Sequence, residues 1–406
     1  MNNKNIWIIN ETIGSKIHGM VFRPYYLAKE FVKNGNKVTI FSGSYTHIYS
    51  NPPEVKGFSK TEVIDSITYC WIKTPKYKKS QSFGRIVNAF VFVLGLFLVK
   101  KKSFGKPDVI IVTSPTPFSI INGYYYKKKF NAKLIFEVRD IWPLTLIEIG
   151  SISKWHPFIL FMQMFENFSY RVSDHVVSVL PEAYKHMEQH GMKRNKFVYI
   201  PNGIDESEKL ENSQSAQKLL NLIPQNKLIV MYAGKIGISN ALENIVNAAK
   251  LVVRNDNIHF VIIGSGPEKQ NLSELVREND LKNVAFLNPV AKSEMQLILS
   301  RADVCYIGLP KLAIFKFGVS ANKLFDYMYA GKPIIYSIEE ENNPVKLADC
   351  GISVNADNPD DIVTAILKLD NMGEKGRAEM GLKGKAYVIK YHTYKKLAER
   401  YLNIFV

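Results

Sequence analysis

Two successive series of short apolar, β-rich runs, each alternating with helical stretches, constrain this chain more than any other feature. The first comprises residues 5–9, 37–42, 108–113, 133–136, 175–179 and 197–200, and the second residues 228–232, 259–263, 284–287, 304–307 and 333–336. Strands that are apolar throughout are covered on both faces, and intervening helices supply the crossovers of parallel sheets. Two series therefore predict two doubly wound α/β domains. Between them, Pro201-Asn202-Gly203-Ile204-Asp205 reads as a turn, and residues 206–217 are poor in apolar side chains. The expected domains are residues 1–203 and 204–384. In residues 385–406, Tyr387, Tyr391, Tyr394, Leu397, Tyr401 and Ile404 recur at three- and four-residue spacings, which predicts one amphipathic helix.

A chain of 406 residues exceeds one ordinary core, and a hydrophobic content of 46% with 12% aromatic residues excludes disorder. Cys70, Cys305 and Cys350 lie far apart, without zinc-type or disulfide spacing, as buried thiols of a cytosolic protein would. Residues 1–9 run directly into a strand and lack the pattern of a secretory signal, so a cytoplasmic location is expected. The net charge of +16 is uneven: residues 1–203 hold 28 Lys and Arg against 13 Asp and Glu, and residues 204–406 hold 25 against 24. The first half is thus suited to an anionic partner, a membrane face or nucleic acid, or is simply a soluble basic surface.

The most informative motif is Gly318–Gly331 with the Lys332-Pro333-Ile334-Ile335 that follows. A polar loop with Ser320 and Lys323 enters a short helix carrying Leu324 and Asp326; Gly331 stops the helix and Pro333 opens a strand. Upstream, Gly234-Lys235 leaves the carboxyl end of the second domain's first strand, the edge where open α/β sheets bind ligands. Lys235 there could neutralise a diphosphate, or could be an ordinary solvated lysine. Asn288 and Val290 follow another strand at a proline turn. Gly264-Ser265-Gly266-Pro267 is not a dinucleotide fingerprint, because Lys269 stands where the third Gly belongs. The loop containing Gly14 also lacks that spacing, although it offers backbone N–H groups to an anion at a helix expected from Val21 to Asn34. Either loop can equally be a structural turn.

The Gly318–Ile335 segment closely resembles the donor-binding segment of family 4 glycosyltransferases, in which a carboxylate five residues before the Gly of an Ala-Gly-x-Pro turn binds the ribose of a sugar nucleotide. Asp326 occupies that position. A second carboxylate eight residues earlier is common in the family, but Gly318 stands there, leaving backbone groups around Phe317–Ser320 to read the sugar. The family's usual basic pair is reduced to Lys235, with Asn240 at the second position, so the resemblance assigns the missing charge to Lys323. The strand and turn before Val290 resemble the segment whose main chain reads the base.

In the first half, Glu137-Val138-Arg139-Asp140-Ile141-Trp142-Pro143 places a charged pair after a strand, and it is similar to the Arg-Asp-x-Trp-Pro stretch of bacterial capsule and O-antigen transferases related to N-acetylfucosamine transferases. Arg23–Ala28 resembles the same subgroup. Arg139 and Asp140 could otherwise form a local ion pair. Residues 86–99 are almost wholly apolar, flanked by Lys76, Lys78, Lys79 and Arg85 on one side and Lys100, Lys101 and Lys102 on the other; they are too few to cross a bilayer. An interfacial helix on anionic head groups and a buried core helix are the two readings. Trp155–Phe168 could add an aromatic edge. No Asp-x-Asp pair, Walker loop or zinc-type grouping of histidines is present.

The resemblance implies the GT-B architecture, two Rossmann-like domains facing across a cleft, with the last helix packing back on the first. It implies retaining transfer of a sugar, an N-acetylaminosugar carried on UDP, to a polyprenyl-diphosphate-linked saccharide, without metal or cofactor, at the inner face of the membrane. Lys235, Lys323 and Asp140 are the expected catalytic residues. Gly14, Gly234, Lys235, Asn288, Val290, Ser320, Lys323, Leu324 and Asp326 would bind the donor; His18, Arg23, Arg139 and Asp140 would bind the acceptor. A sugar-nucleotide epimerase on the same fold and a basic nucleic-acid-binding protein are the alternatives, the latter without a recognised motif.

Overall fold

The computed structural model describes residues 3–19, 22–78, 83–208 and 211–405. Val21, Lys79, residues 209–210 of the polar linker and Val406 lie outside the described residues. Two compact units emerge, one of Met1–Pro201 with Tyr394–Val406 and the other of Asn202–Thr393.

In the first unit, β1 (Asn5–Ile9), β2 (Lys37–Gly43), β3 (Ser59–Ile64), β4 (Ile67–Ile72), β5 (Val109–Thr113), β6 (Lys133–Val138), β7 (His175–Ser178) and β8 (Phe197–Tyr199) form one sheet in the order β3-β4-β2-β1-β5-β6-β7-β8. All pairings are parallel except β3 with β4. Ile6, Trp7, Ile8 and Ile9 of β1 are at most 2% exposed, which explains the absence of alternation in that run. Fully burying one such aliphatic side chain contributes about 1.5–3 kcal/mol.

The β3–β4 hairpin was not among the expected strands. β3, Ser-Lys-Thr-Glu-Val-Ile, is a largely exposed edge strand, so it carries none of the apolar signal that marked the others. Its two-residue turn is Asp65-Ser66, with φ of 49° and 64°. Left-handed conformation at both positions suits a hairpin turn, but Asp-Ser lacks the Gly that usually announces one.

In the second unit, β9 (Leu228–Ala233), β10 (Ile258–Ile263), β11 (Val284–Leu287), β12 (Val304–Gly308), β13 (Ile334–Ser337) and β14 (Gly351–Val354) form an all-parallel sheet in the order β11-β10-β9-β12-β13-β14. β14, an edge strand with no fully buried residue, carries no continuous apolar run and was not among the expected strands.

The expected single helix over residues 385–406 is corrected to two. One helix, Gly373–Tyr391, ends before His392, and another, Tyr394–Asn403, begins after Thr393. The break has a cause within the second unit: the Ile204 N–H donates to the His392 carbonyl at 2.9 Å, Ile204 bridges Thr393, and the His392 ring stacks on Phe325 with centroids 4.6 Å apart. Only the last helix joins the first unit. Tyr394, Leu397, Ala398 and Tyr401 bury against the helix Phe22–Lys33, with Tyr394 stacked on Tyr26 at 4.8 Å.

The apolar run 86–99 lies in the helix Phe83–Leu98. It is both core and surface: Ala89, Phe92, Val93 and Leu96 are buried, whereas Leu94 and Leu98 are 64% and 72% exposed. Among the described residues, no helix is long and apolar enough to cross a membrane. Lys101 leaves the expected set of surface cations. Its ammonium donates to the carbonyls of Leu96 and Val99, capping the helix, and burial pushes its pKa down to about 8. The three cysteines are free and buried.

Candidate functional site

In each sheet, strand order reverses direction once, and the gap outside the carboxyl ends of the two strands flanking that point is where open α/β sheets hold ligands. In the second unit the flanking strands are β9 and β12. β9 leads into Gly234-Lys235, and β12 leads through a loop into the helix Asn322–Tyr329.

Lys323 reaches across this gap. Its Nζ donates to the Tyr232 hydroxyl at 2.8 Å and to Asn240 Oδ1, and lies 4.5 Å from the centre of the Tyr232 ring. Tyr232 in turn donates to the Lys235 carbonyl at 2.6 Å. Asn240, where the resemblance left a cation missing, is thus next to one supplied from elsewhere in the sequence. Burial pushes the Lys323 pKa down to about 7, so the ammonium is poised to gain from an anion. Gly234 permits the approach: with φ of 155°, a Cβ there would lie 3.3 Å from both Lys323 Cε and the Tyr232 hydroxyl. Lys235 is exposed, and its ammonium has no partner among the described residues.

The neighbouring loop explains the two later glycines. A Cβ on Gly264 or Gly266 would stand 1.9 Å from the carbonyl oxygen of Gly234 or Ile236, so the loops after β9 and β10 pack backbone to backbone. Lys269, in place of a third Gly, donates to the Gly264 and Leu287 carbonyls at 3.2 Å each, bracing the ends of β10 and β11.

Asp326, on the same helix as Lys323, pairs through Oδ1 with Lys292 in the turn after β11. Asn288 is exposed and Val290 half-buried in that same connection. Leu324 is fully buried in the core, so only its main chain could meet a ligand. Ser320 is engaged by Asn202, whose N–H donates to Oγ at 2.9 Å and whose side-chain amide donates to the carbonyl at 2.6 Å. Gly14 belongs to the other unit, where its carbonyl accepts from Tyr69 at 3.1 Å.

In the first unit the reversal lies between β1 and β5. Glu11 follows β1 and Ser114 and Thr116 follow β5; Thr116 donates to Glu11 Oε1 at 2.5 Å, while Oε2 is buried without a hydrogen-bond partner. Burial raises the Glu11 carboxyl above its usual range, against the Thr116 hydrogen bond and the attraction of Arg85 and Arg139. Asp140 lies exposed after β6, yet crowding by protein raises its carboxyl too, again against Arg139 and Arg85. Arg139 and Asp140 do not form the local ion pair that was the alternative to a site role: no salt bridge joins them among the described residues. Arg139 instead donates through Nε and Nη2 to the Ser114 carbonyl, at 3.1 and 2.7 Å. Arg85, expected as a surface cation, stands 5.3 Å over the Trp142 ring.

Two expected acceptor residues are already occupied. Arg23 is 4% exposed; it pairs with Glu137 at 3.0 Å and donates to the Ile200 and Pro201 carbonyls, while Tyr401 also donates to Glu137. That network ties helix, sheet and C-terminal helix together rather than presenting Arg23 to a ligand. His18 is 5% exposed, with Nδ1 2.8 Å from the Asn51 carbonyl and Nε2 3.1 Å from Glu62 of β3. Sequence reasoning missed Lys292, Glu11 and Tyr232. Lys292 sits two residues beyond Val290 and Glu11 three before Gly14, inside segments already singled out; position alone could have drawn them in.

Among the described residues, no group of His, Cys, Asp and Glu could hold a metal ion. The Glycosyltransferase Family 4 model matches residues 17–208, and the Glycosyl transferases group 1 model matches residues 227–371. A sequence from Escherichia coli K12, named for colanic acid biosynthesis as glycosyl transferase WcaI, is 22% identical over 262 residues, 63% of each chain. The matched segments span between 36% and 63% of the length of the curated relatives. Sucrose-phosphate synthase from Thermosynechococcus elongatus superposes with a TM-score of 0.76 at 16% identity, covering 99% of this chain and 98% of that one. Anabaena Alr3699/HepE, solved with UDP and glucose, superposes with a TM-score of 0.68 at 12% identity over 99% of both chains. These likenesses show the fold, which is that of GT-B glycosyltransferases.

Proposed function

We propose that this chain, a glycosyltransferase by its family 4 and group 1 domains, transfers a sugar from a UDP-linked donor to a lipid-linked saccharide during polysaccharide synthesis, with retention and without a metal. The observation that carries the donor half is the Lys323 ammonium held against Tyr232 and Asn240 beside Gly234, at the point where the second sheet reverses. A diphosphate leaving group gathers negative charge as its bond to the sugar breaks, and preorganised cations favour that state over the ground state. Lys323 and Lys235 supply them, and Asp326 accepts from the ribose hydroxyls. UDP binding in the HepE structure is in keeping with this reading. In the first unit, the exposed Asp140 and Glu11, one of whose buried oxygens has no hydrogen-bond partner, are the carboxylates we assign to an acceptor hydroxyl.

The test is calorimetric titration of UDP into the full chain in EDTA, followed by transfer from UDP-N-acetylglucosamine and UDP-glucose to polyprenyl-diphosphate saccharides. No UDP binding, or binding and transfer only with added magnesium or manganese, overturns the corresponding part.

The lipid-linked acceptor is favoured by exposed apolar side chains of the first unit. Phe83, Leu94 and Leu98 are exposed on one helix, and Trp155, Leu160 and Met164 on or beside the helix Pro157–Val172, with Lys100 and Lys102 exposed nearby in sequence. Each lysine near an anionic surface is worth about 1 kcal/mol. Changing Lys100 and Lys102 to Glu, and leaving Lys101 in its capping role, should weaken sedimentation with phosphatidylglycerol vesicles by at least about tenfold. Unchanged sedimentation returns these residues to an ordinary solvated surface.

A further inference from the structure

We infer that Glu340, just past β13, is the carboxylate that reads the hydroxyl groups of the transferred sugar. This rests on the nucleotide-sugar reading above and adds a residue to it. All six strands of the second unit are parallel, so their carboxyl ends open on the same side, in the order β11-β10-β9-β12-β13-β14. Lys292 follows β11 and pairs with Asp326. Lys235 follows β9, and Lys323, on the helix after β12, donates to the Tyr232 hydroxyl of β9. The groups suited to a nucleoside therefore lie toward β11, and those suited to phosphates lie at β9 and β12. What is attached beyond the phosphates continues toward β13, and four strand spacings, roughly 19 Å, separate β11 from β13.

Glu340 stands at that far end. Its Oε2 accepts from the Val319 N–H at 2.7 Å, and its Oε1 accepts from the Tyr336 hydroxyl. Val319 belongs to the Gly318–Ser320 loop that leads into the helix bearing Lys323 and Asp326. One carboxylate thus holds the loop at the end of the sheet edge where β13 opens. An ionised carboxylate offers about four acceptor positions; two are used here, and the residue is only half-buried, so the others can be reached. Burial pushes its pKa up to about 7, against the hydrogen bonds of Tyr336 and Val319. Hydroxyl groups donating to it would compensate for that desolvation, as they do wherever a buried charge gains a donor. Because the carboxylate lies past the diphosphate, it should distinguish a nucleotide that carries a sugar from one that does not.

Titration calorimetry on the full chain tests this with UDP, UDP-glucose and UDP-N-acetylglucosamine, the tighter of the two sugar nucleotides serving as probe. Glu340→Gln keeps the shape and an acceptor for Val319 but removes the charge. The expected result is a roughly tenfold rise in the Kd of the sugar nucleotide, with the Kd of UDP changed less than twofold. If both ligands weaken alike, Glu340 merely supports the loop; if neither weakens, it touches no ligand. Either result overturns the inference. Thermal melts establish folding, and if Glu340→Gln melts too low to titrate, Glu340→Asp, which withdraws the charge by one methylene, is read by the same criterion. Failure of the unaltered chain to bind UDP overturns the donor reading itself and this inference with it.

Discussion

The two sheet edges are built on one topological plan and carry opposite chemistry. At the reversal point of the second unit a lysine crosses the gap, a second lysine is exposed, and polar groups hold the first in place. At the reversal point of the first unit stands a carboxylate, Glu11, with a second, Asp140, after the next strand, β6, and arginines near both. The first unit comes from the strongly basic half of the chain and the second from the nearly neutral half. Net charge therefore describes outer surface and long-range field, not the sign of a site. Of the lysines of the first half, Lys101 caps a helix, Lys127 pairs with Asp174, and Lys100 and Lys102 stay exposed. On the function proposed above, the donor diphosphate would meet the cationic edge and acceptor hydroxyls the acidic one.

The comparison breaks most readily at Lys323. Lys323→Ala removes a preorganised cation from the leaving diphosphate and should lower turnover by about 100-fold or more. Steady-state rates, with melts to establish folding, measure this. Near-normal turnover would mean that the cationic edge does not hold the phosphates.

At the acidic edge, Glu11→Gln should lower transfer by about 30-fold while leaving UDP affinity unchanged, because a charged acceptor of a hydroxyl is worth roughly 1.5–3 kcal/mol. The motivation is Oε2, buried without a hydrogen-bond partner. Loss of UDP affinity in this variant would contradict the division between the edges. Unaltered transfer would make Glu11 structural.

A third measurement uses pH. The Lys323 ammonium, with its pKa pushed down to about 7, is cationic below that value and neutral above it. A bound diphosphate stabilises the cation and raises its pKa, so binding takes up a proton above pH 7. UDP affinity should then fall by roughly tenfold per unit from about pH 7.5 upward, and Lys323→Met should flatten the slope. A flat profile in the unaltered chain would show that Lys323 does not meet the phosphates.

What the sequence made legible follows from burial. Continuous apolar strands announce themselves, and the Gly-Lys and Lys-x-x-Asp positions sit at strand ends and helix starts that the pattern already locates. The hairpin with Glu62 was illegible because its edge strand is polar, and so the partner of His18 was invisible. Arg23 looked available because a sequence cannot show that Glu137 and Tyr401 converge on it from 114 and 378 residues away. Glu340 was missed for the same reason: strand order in the sheet, not chain order, brings the end of β13 to the loop after β12.

The smallest expected effect concerns Asp326, and it sharpens the donor edge from within. Its carboxylate already pairs with Lys292, so a ribose must share it with an ammonium rather than find it unengaged. A carboxylate can accept from both, since each oxygen has two acceptor positions. Ribose contacts are alike in ground and transition states, so Asp326→Asn should raise the donor KM about fivefold and leave kcat within about twofold. Lys292→Met should do less, because it leaves the carboxylate in place and removes only its neutralising partner. If the two residues act as a pair, the double variant will show less than the product of the separate effects, a coupling that a double-mutant cycle on KM reads directly. A fall in kcat with unchanged KM for Asp326→Asn would move that carboxylate from the ribose to the reacting centre, and the base-to-sugar direction along the sheet edge would then have to be reversed.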